Sequence, residues 1–218
     1  FSTEPPLKIP AIDVVYNAAK EVYQPIAISE QESIRMKVSD GKPYFVYVGS
    51  IHPRKNIVRL LEAFDAFKTQ TKSETKLIIV GRKAWQHDDV AITLDKLASK
   101  TDILFLGHLS SEETASIVAS SLAMCYVSLF EGFGIPIVEA QQAGTAVITS
   151  NLSSMPEAAG EGALLVDPND TQAIANAMQL IFEEPLLRET LIQKGFENCK
   201  RFSWEKSAEK LWHTIQTL

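Results

Sequence analysis

Cysteine and long apolar runs are scarce in this chain of 218 residues. Its two cysteines, Cys125 and Cys199, have no metal-ligand spacing, and Cys125 lies in an apolar run. This favours buried thiols in a reducing compartment over a disulfide. No apolar run approaches 18 residues and no secretory leader begins at Phe1, so we expect a cytoplasmic protein without a membrane span. The chain does not begin with Met, and we expect it to be a piece of a longer protein.

An excess of positive charge is also missing. Acidic side chains number 27 against 21 basic ones, for a formal net charge of −6. This balance argues against nucleic acid or an acidic membrane as the main partner, because both attract basic surfaces. We expect any membrane association to be peripheral and to come only through the full-length protein.

Three common catalytic signatures are absent. The chain has no Walker phosphate loop, and Ser128 lies in no G-x-S-x-G elbow. The G-x-G of residues 132–134 lacks the third glycine of the dinucleotide fingerprint, because residue 137 is Ile. The four histidines are scattered and no D-x-D motif with apolar flanks occurs, so we expect neither a metal nor another cofactor.

What the chain does contain is an alternation of short apolar runs with longer helical patterns. Most of the runs are apolar throughout, as expected for a parallel sheet covered on both faces. The predicted strands are residues 44–49, 77–81, 103–106, 123–127, 146–149 and 163–166. The alternation predicts an α/β fold, a doubly wound parallel sheet of Rossmann-like type, whose ligands bind beyond the carboxyl ends of the strands.

The intervening patterns predict helices with recognisable ends. The first has an apolar stripe from Ile57 to Phe67, and Ser110 with Glu113 fits a capping box at the start of another. Pro185 is expected to stop the helix that begins at Thr171. The predicted helices after the first are residues 114–121, 137–143, 171–182 and 204–217.

Residues 1–40 are less regular, and we interpret them as an interdomain-type leader before a domain of residues 41–218. Within the leader, residues 13–16 have the pattern of a strand. Residues 29–37 have the pattern of a helix, with a capping box between Ser29 and Glu32. The last helix is expected to belong to the domain.

Two carboxylates, Glu131 and Glu139, stand eight positions apart on either side of a glycine-rich turn. The turn follows a predicted strand and precedes a helix with Pro136 in its first turn, where a missing N–H costs nothing. Unpaired N–H groups and the helix dipole attract an anion at such a helix start. A carboxylate beside an anion site suits sugar hydroxyls, and a phosphorylated sugar offers both groups.

A second loop carries two cations. Gly49 ends the first strand and lets a ligand approach the backbone closely. Arg54 and Lys55 stand at a helix start, where the dipole disfavours positive charge, and this indicates a bound anion. The alternative is two solvated side chains on a loop. His108 and Trp85 follow other strand ends, and each is either a ligand contact or an ordinary loop residue.

Together these motifs resemble those of retaining GT-B glycosyltransferases of family four, the glycosyl transferases group 1. Residues 131–139 resemble the E-x₇-E signature of the family's carboxyl-terminal nucleotide-sugar-binding domain. Residues 47–50 and 53–56 resemble its donor diphosphate loop, and the P-R-K-N of the latter resembles a mannosyltransferase-like branch. Residues 14–17 resemble the segment between its two domains. The similarity extends over about residues 10–217 and includes residues 141–150, 153–157 and 162–168.

The resemblance implies roles for individual residues. Glu131 would hold hydroxyls of the donor sugar, and Glu139 would bind the ribose. Lys55 with Arg54 would stabilise the leaving diphosphate. Many relatives have Arg where this chain has Ser50, and whether Arg54 replaces that arginine stays open. Backbone groups would supply the other contacts to the donor. Those near His108 and Leu109 would meet the base. Those of Phe133, Gly134 and Ile135 would hold the sugar and the distal phosphate. Gly49, Ser50 and Gly132 complete the implied donor site.

The reaction implied by the resemblance moves a hexosyl group, with mannose suggested by the branch, from a nucleoside diphosphate sugar to an acceptor hydroxyl. The acceptor would be a glycan or lipid-linked sugar of polysaccharide biosynthesis, held by an amino-terminal domain outside this chain. The chain alone should therefore be inactive. Two alternatives stay open: a non-catalytic nucleotide-sugar-binding or scaffold module, and another sugar-nucleotide enzyme such as an epimerase.

Overall fold

A single parallel sheet of six strands organises the computed structural model, which describes residues 12–82 and 88–217. The strand order is β3-β2-β1-β4-β5-β6. The strands are β1 Tyr44–Val48, β2 Lys76–Val80, β3 Ile103–Gly107, β4 Ala123–Tyr126, β5 Ala146–Ser150 and β6 Leu164–Val166. All six predicted strands are confirmed to within one residue at each end. The hypothesis for Trp85 lies outside the described residues.

Helices connect the strands and cover the sheet, which confirms the doubly wound α/β fold. They are α1 Ile28–Ser39, α2 Ile57–Thr71, α3 Asp88–Lys96, α4 Ser111–Ala119, α5 Ile135–Gln142, α6 Met155–Ala159, α7 Thr171–Glu183, α8 Pro185–Cys199 and α9 Trp204–Gln216. Short 3₁₀ turns occupy Pro53–Lys55 and Lys100–Asp102. Because every strand pair is parallel, the loops that follow the strands gather at one edge of the sheet.

The strand predicted at residues 13–16 is wrong, because this segment runs beside α9 instead of joining the sheet. The Ser207 hydroxyl donates to the Tyr16 carbonyl at 2.6 Å, and the Thr214 hydroxyl donates to the Asp13 carboxylate at 3.0 Å. Polar contacts therefore hold this segment against a helix about 200 residues away along the chain, and the side chains of Val14 and Val15 stay exposed.

Helix ends agree with the sequence where a side chain caps them and differ where it does not. The capping box of Ser110 and Glu113 is confirmed, and the side chains of Asp170 and Ser203 cap α7 and α9. The box predicted at Ser29 is wrong, because α1 already begins at Ile28 and Ser29 lies inside it.

Two more helix predictions need correction. Helix α5 begins at Ile135 rather than at residue 137, directly after Gly134, whose φ of 102° ends the preceding turn. Pro185 does follow the end of α7, but it also opens α8, which the sequence analysis missed. That helix buries only Leu191, Gly195 and Asn198, so its apolar pattern is weak.

The core lies on both faces of the sheet. The predicted apolar stripe of α2 is buried from Ile57 to Phe67, and Cys125 on β4 has no exposed surface. Both cysteines are free, and burial raises the pKa of the Cys125 thiol well above its usual value. Within residues 12–82 and 88–217, no helix combines the length and apolar character needed to cross a bilayer.

Candidate functional site

The candidate site lies at the carboxyl edge of the sheet, between the loops that follow β1 and β4. β1 and β4 pair with each other, although they are far apart in sequence. The next strand in the chain after β1, β2, pairs with the opposite edge of β1. Such a switch in strand order leaves a crevice between the two loops, which is the usual ligand site of doubly wound sheets.

Arg54 and Lys55 meet Glu131 across this crevice. The Lys55 ammonium donates to Glu131 Oε1 at 2.5 Å, and the Arg54 guanidinium donates to Oε2 at 2.7 Å. His52 caps the 3₁₀ turn that carries both cations, since its Nδ1 accepts from the Arg54 N–H at 3.3 Å. The unfavourable placement of two cations at a helix start is therefore offset, at least in part, by a carboxylate of the protein itself.

The three charged groups differ in burial. The side chains of Lys55 and Glu131 are each 8% exposed, whereas that of Arg54 is 44% exposed. The interpretation of both cations as solvated loop residues is therefore wrong for Lys55. Lys55 also donates to the Tyr126 hydroxyl at 2.5 Å, so two of its three N–H donors are used within the protein.

Burial and pairing act in opposite directions on the Glu131 carboxyl. Burial alone would raise its pKa, and hydrogen bonds from Lys55 and Arg54 outweigh burial and lower the pKa below its usual value. Burial lowers the pKa of the Lys55 ammonium, and the bond to Glu131 offsets this only in part. The lowered pKa of the Glu131 carboxyl is the direction expected of a carboxylate that two cations hold by hydrogen bonds.

Hydroxyl groups on the loop after β5 hold the backbone of the glycine-rich turn. Ser153 donates to the Glu131 carbonyl at 2.7 Å, and Ser154 donates to the carbonyls of Glu131 and Phe133 at 2.9 and 3.0 Å. Sequence reasoning assigned no role to these serines, although they fall in a segment that carried the resemblance. It also missed Tyr126, whose apolar surroundings gave no sign of a site.

Residues 132–134 lie where the sequence predicted, between the end of β4 and the start of α5, and Ile135 is the first residue of that helix. Gly134 adopts a left-handed conformation, and a Cβ there would lie 3.0 Å from the Ile137 side chain. Within the first turn of α5, the Ile137 N–H donates to the Gly134 carbonyl at 2.9 Å. Pro136 occupies that first turn, as predicted.

Glycines also hold the loop after β1 against its neighbour. The φ of Gly81 is 152°, and a Cβ there would lie only 1.8 Å from the Gly49 carbonyl oxygen. Gly49 itself donates to the Val80 carbonyl at 2.9 Å. The two loops can therefore pack together only if residue 81 has no side chain.

A second part of the site is a cleft of about 320 Å³ between the ends of β1, β2 and β3 and the start of α4. The structure brings Gly49, Ser50, His108 and Leu109 together in its wall, as the predicted site requires of them. Arg82, in the loop after β2, also lines the wall, as do Lys20 and Tyr23, which the sequence analysis did not single out.

Glu139 lies apart from the cluster of Glu131, Lys55 and Arg54. It is 7% exposed on α5 and faces Tyr23 and Lys20. Burial raises the pKa of its carboxyl, and the positive charge of Lys20 and a hydrogen bond from Tyr23 reduce this shift. The two glutamates of the motif therefore lie in different surroundings, Glu131 beside Lys55 and Arg54 and Glu139 beside Tyr23 and Lys20.

Metal ligands are not clustered in the described part of the chain. Over residues 12–82 and 88–217, no group of three or more His, Cys, Asp or Glu side chains is placed to hold an ion. The cations and helix N-terminus described above are the groups that would meet negative charge.

Comparison with known proteins places this geometry in context. Residues 29–198 match the family described as glycosyl transferases group 1. O-antigen chain mannosyltransferase B of Escherichia coli is 34% identical over 162 residues, which are 74% of this chain and 42% of that protein. The chain thus spans less than half the length of this relative.

Solved structures share the fold. The crystal structure of Anabaena HepE in complex with UDP and glucose superposes with a TM-score of 0.84 at 20% identity, over 94% of this chain and 57% of that one. The C-terminal domain of a glycosyl transferase group 1 family protein from Francisella tularensis gives a TM-score of 0.72 at 22% identity, over 85% of this chain and 97% of that one.

Proposed function

The chain belongs to the glycosyl transferases group 1 family, and from this we propose that it is the donor-binding half of a retaining GT-B hexosyltransferase. The donor is a nucleoside diphosphate sugar, and the similarity to a mannosyltransferase favours mannose as the sugar. We propose residues 41–218 as the donor domain and residues 1–40 as its leader; an isolated C-terminal domain of this family shares the fold over 85% of this chain.

One observation carries the proposal: a buried carboxylate is held by two cations beside the start of α5. Each oxygen of the Glu131 carboxylate has a second lone pair beside the one used by Lys55 or Arg54, and sugar hydroxyls donate hydrogen bonds to acceptors of this kind. Lys55, Arg54 and the N–H groups of the helix start supply the positive potential that a diphosphate needs. A nucleoside diphosphate sugar is the ligand that offers both kinds of group together.

The same arrangement suits the reaction. When the bond between the sugar and the diphosphate breaks, positive charge develops on the sugar and negative charge grows on the leaving diphosphate. Preorganised cations and backbone dipoles stabilise that growing charge without rearranging. We propose that Lys55 and Arg54 act here in place of a metal ion, so that no cofactor is required.

The acceptor completes the proposal. We propose that a glycan or lipid-linked sugar is bound mainly by residues outside this chain, because the chain spans only 42% of its mannosyltransferase relative. The chain by itself should then bind donor but transfer nothing. In the full-length protein it would work in polysaccharide biosynthesis in the cytoplasm.

The test is a calorimetric screen of GDP-, UDP- and ADP-sugars against the chain. Binding of one class that weakens by about ten- to a hundredfold in Lys55→Ala would support the proposal, because charge-assisted hydrogen bonds contribute roughly 1.5–3 kcal/mol. If no nucleoside diphosphate sugar binds, the proposal is wrong. Donor binding without any turnover in the full-length protein would instead favour a non-catalytic module.

A further inference from the structure

An aromatic ring anchors the glycine-rich turn of the candidate site. Phe133, in the middle of the turn, packs against Tyr16 with ring centroids 5.8 Å apart and against Phe202 with centroids 5.3 Å apart. Tyr16 and Phe202 also contact each other, edge to face, at 5.3 Å. These three rings form the aromatic clasp, which joins the leader, the turn and the link between α8 and α9.

The clasp belongs to a small second core of the protein. Phe202 is buried there beside Ala18, Ala19 and Val138, the last of which lies on α5. Phe133 is half-buried and packs against this core and against the main core as well. Because protein interiors are closely packed, a displacement of this ring would disturb both cores.

Hydrogen bonds hold the partners of the ring in place. The Ser207 hydroxyl of α9 donates to the Tyr16 carbonyl at 2.6 Å, and the Tyr16 hydroxyl donates to the Glu157 carboxylate of α6. The Ser154 hydroxyl, just before α6, donates to the Phe133 carbonyl at 3.0 Å. The middle of the turn is therefore held both by its side chain and by its carbonyl group.

The backbone of the turn has donors to offer to a ligand. In the described part of the chain, no protein group accepts a hydrogen bond from the N–H of Phe133, Gly134 or Ile135. Unpaired N–H groups at a helix start favour an anion. Their directions depend on the conformation of the turn, and therefore on what holds Phe133.

We propose that Phe133 is a positioning residue, whose clasped ring fixes the turn so that its N–H groups meet the distal phosphate and the sugar of the donor. This rests on the proposed function and deepens it, because the resemblance implies a role only for the backbone of Phe133. Gly132 and Gly134 flank the ring, and glycine restricts the backbone little, so the side chain between them supplies the anchor. Tyr16 and Phe202 act through Phe133.

The ratio of diphosphate to monophosphate affinity tests this positioning. The tightest-binding of GDP, UDP and ADP, and the monophosphate of the same nucleoside, are titrated by calorimetry against the wild type and Phe133→Leu. Leucine keeps an apolar side chain but loses the ring contacts. The diphosphate should bind about tenfold more weakly relative to the monophosphate, which corresponds to about one hydrogen bond to a charged group. A ring that only supported the fold would lower the melting temperature and leave this ratio unchanged.

Tyr16→Leu tests the same contact from outside the turn. It removes a half-buried ring of the clasp and should lower the affinity ratio in the same direction, which keeps the test decisive if Phe133→Leu unfolds. The matched control is Phe182→Leu at the end of α7. Phe182 is half-buried like Phe133 and packs edge to face on Phe67 at 5.8 Å, outside the clasp. Phe182→Leu should therefore lower stability and leave the ratio unchanged.

The outcomes separate this inference from the function on which it rests. If the wild type binds none of the three diphosphates, the proposed function is wrong and the inference with it. If the wild type binds a diphosphate, and the folded variants among Phe133→Leu and Tyr16→Leu keep the wild-type affinity ratio, the inference alone is overturned.

Discussion

The Lys55 ammonium and the Glu131 carboxylate are joined by a 2.5 Å hydrogen bond, although 76 residues separate them in the chain. One follows β1 and the other follows β4, and the pairing of these strands brings the loops together. The contact explains how a cation is tolerated at a buried helix start. It also keeps the carboxylate ionised at a place where burial alone would favour its neutral form.

We expect Lys55→Ala to cost more stability than Arg54→Ala. Removing Lys55 leaves a buried carboxylate with less compensation, and breaking a buried ion pair costs about 3–5 kcal/mol. Arg54 is 44% exposed, so the loss there should be about 1 kcal/mol or less. Urea unfolding at pH 7 measures the free energy of unfolding of both variants. Equal losses of stability would show that the burial of Lys55 does not set the cost of removing it.

We expect Glu131→Gln to separate the sugar from the diphosphate. The change frees Lys55 and Arg54 from their carboxylate, so a free nucleoside diphosphate should bind as tightly as before or more tightly. A sugar nucleotide should bind about tenfold more weakly relative to that diphosphate, through loss of a charged acceptor for hydroxyl groups.

Glu139→Gln is the comparison for that experiment. It should weaken the diphosphate and the sugar nucleotide to a similar extent, because its proposed partner is the ribose that both ligands share. Titration calorimetry resolves the two patterns. If both variants only lose thermal stability, without any difference between ligands, the separate roles of the two glutamates would be refuted.

Acid should destabilise the protein partly through Glu131. Its folded-state pKa lies below the usual value, so the stabilisation is present above the ordinary carboxyl pKa and is lost as the pH falls through the lowered one. The wild type should therefore lose more free energy of unfolding between pH 7 and pH 3 than Glu131→Gln.

Glu161→Gln is the control for this pH dependence. Glu161 is 84% exposed in its ion pair with Lys194, so the variant should keep the wild-type slope. Denaturant midpoints across the pH series provide the measurement, and a Glu131→Gln slope equal to that of the wild type would contradict the expectation.

Gly81→Ala should destabilise the fold by about 2–5 kcal/mol, because it combines backbone strain at a positive φ with a clash against the Gly49 carbonyl. Gly132→Ala is the matched change in the loop after β4. No atom lies within 4 Å of a Cβ placed there, and stability should hardly change. Thermal denaturation compares the two, and a stable Gly81→Ala protein would mean that the two loops separate at little cost.

Divalent metal should not alter donor binding. The described residues offer cations and a helix N-terminus to the diphosphate rather than clustered carboxylates. Calorimetry in EDTA and in Mg²⁺ should give the same affinity. A tenfold gain with Mg²⁺, about 1.4 kcal/mol, would count against the role proposed for Lys55 and Arg54.

Local patterns in the sequence determined the elements of this protein. The six apolar runs became the six parallel strands, and the capping box at Ser110 marked the start of α4, because strand burial and helix caps depend on residues close together in the chain. The loops that carry Glu131 and Lys55 could be assigned to the same edge of the sheet from the sequence, because the carboxyl ends of all strands of a parallel sheet lie at that edge.

Tertiary structure alone decided which side chains of those loops meet. The pairing of Lys55 with Glu131 and Tyr126, the approach of Tyr23 to Glu139, and the run of residues 13–16 along α9 join segments about 70 to 200 positions apart. Periodicity and capping carry no information about such distances. These contacts follow from the strand order and from the packing of helices on the sheet, and only the folded chain shows them.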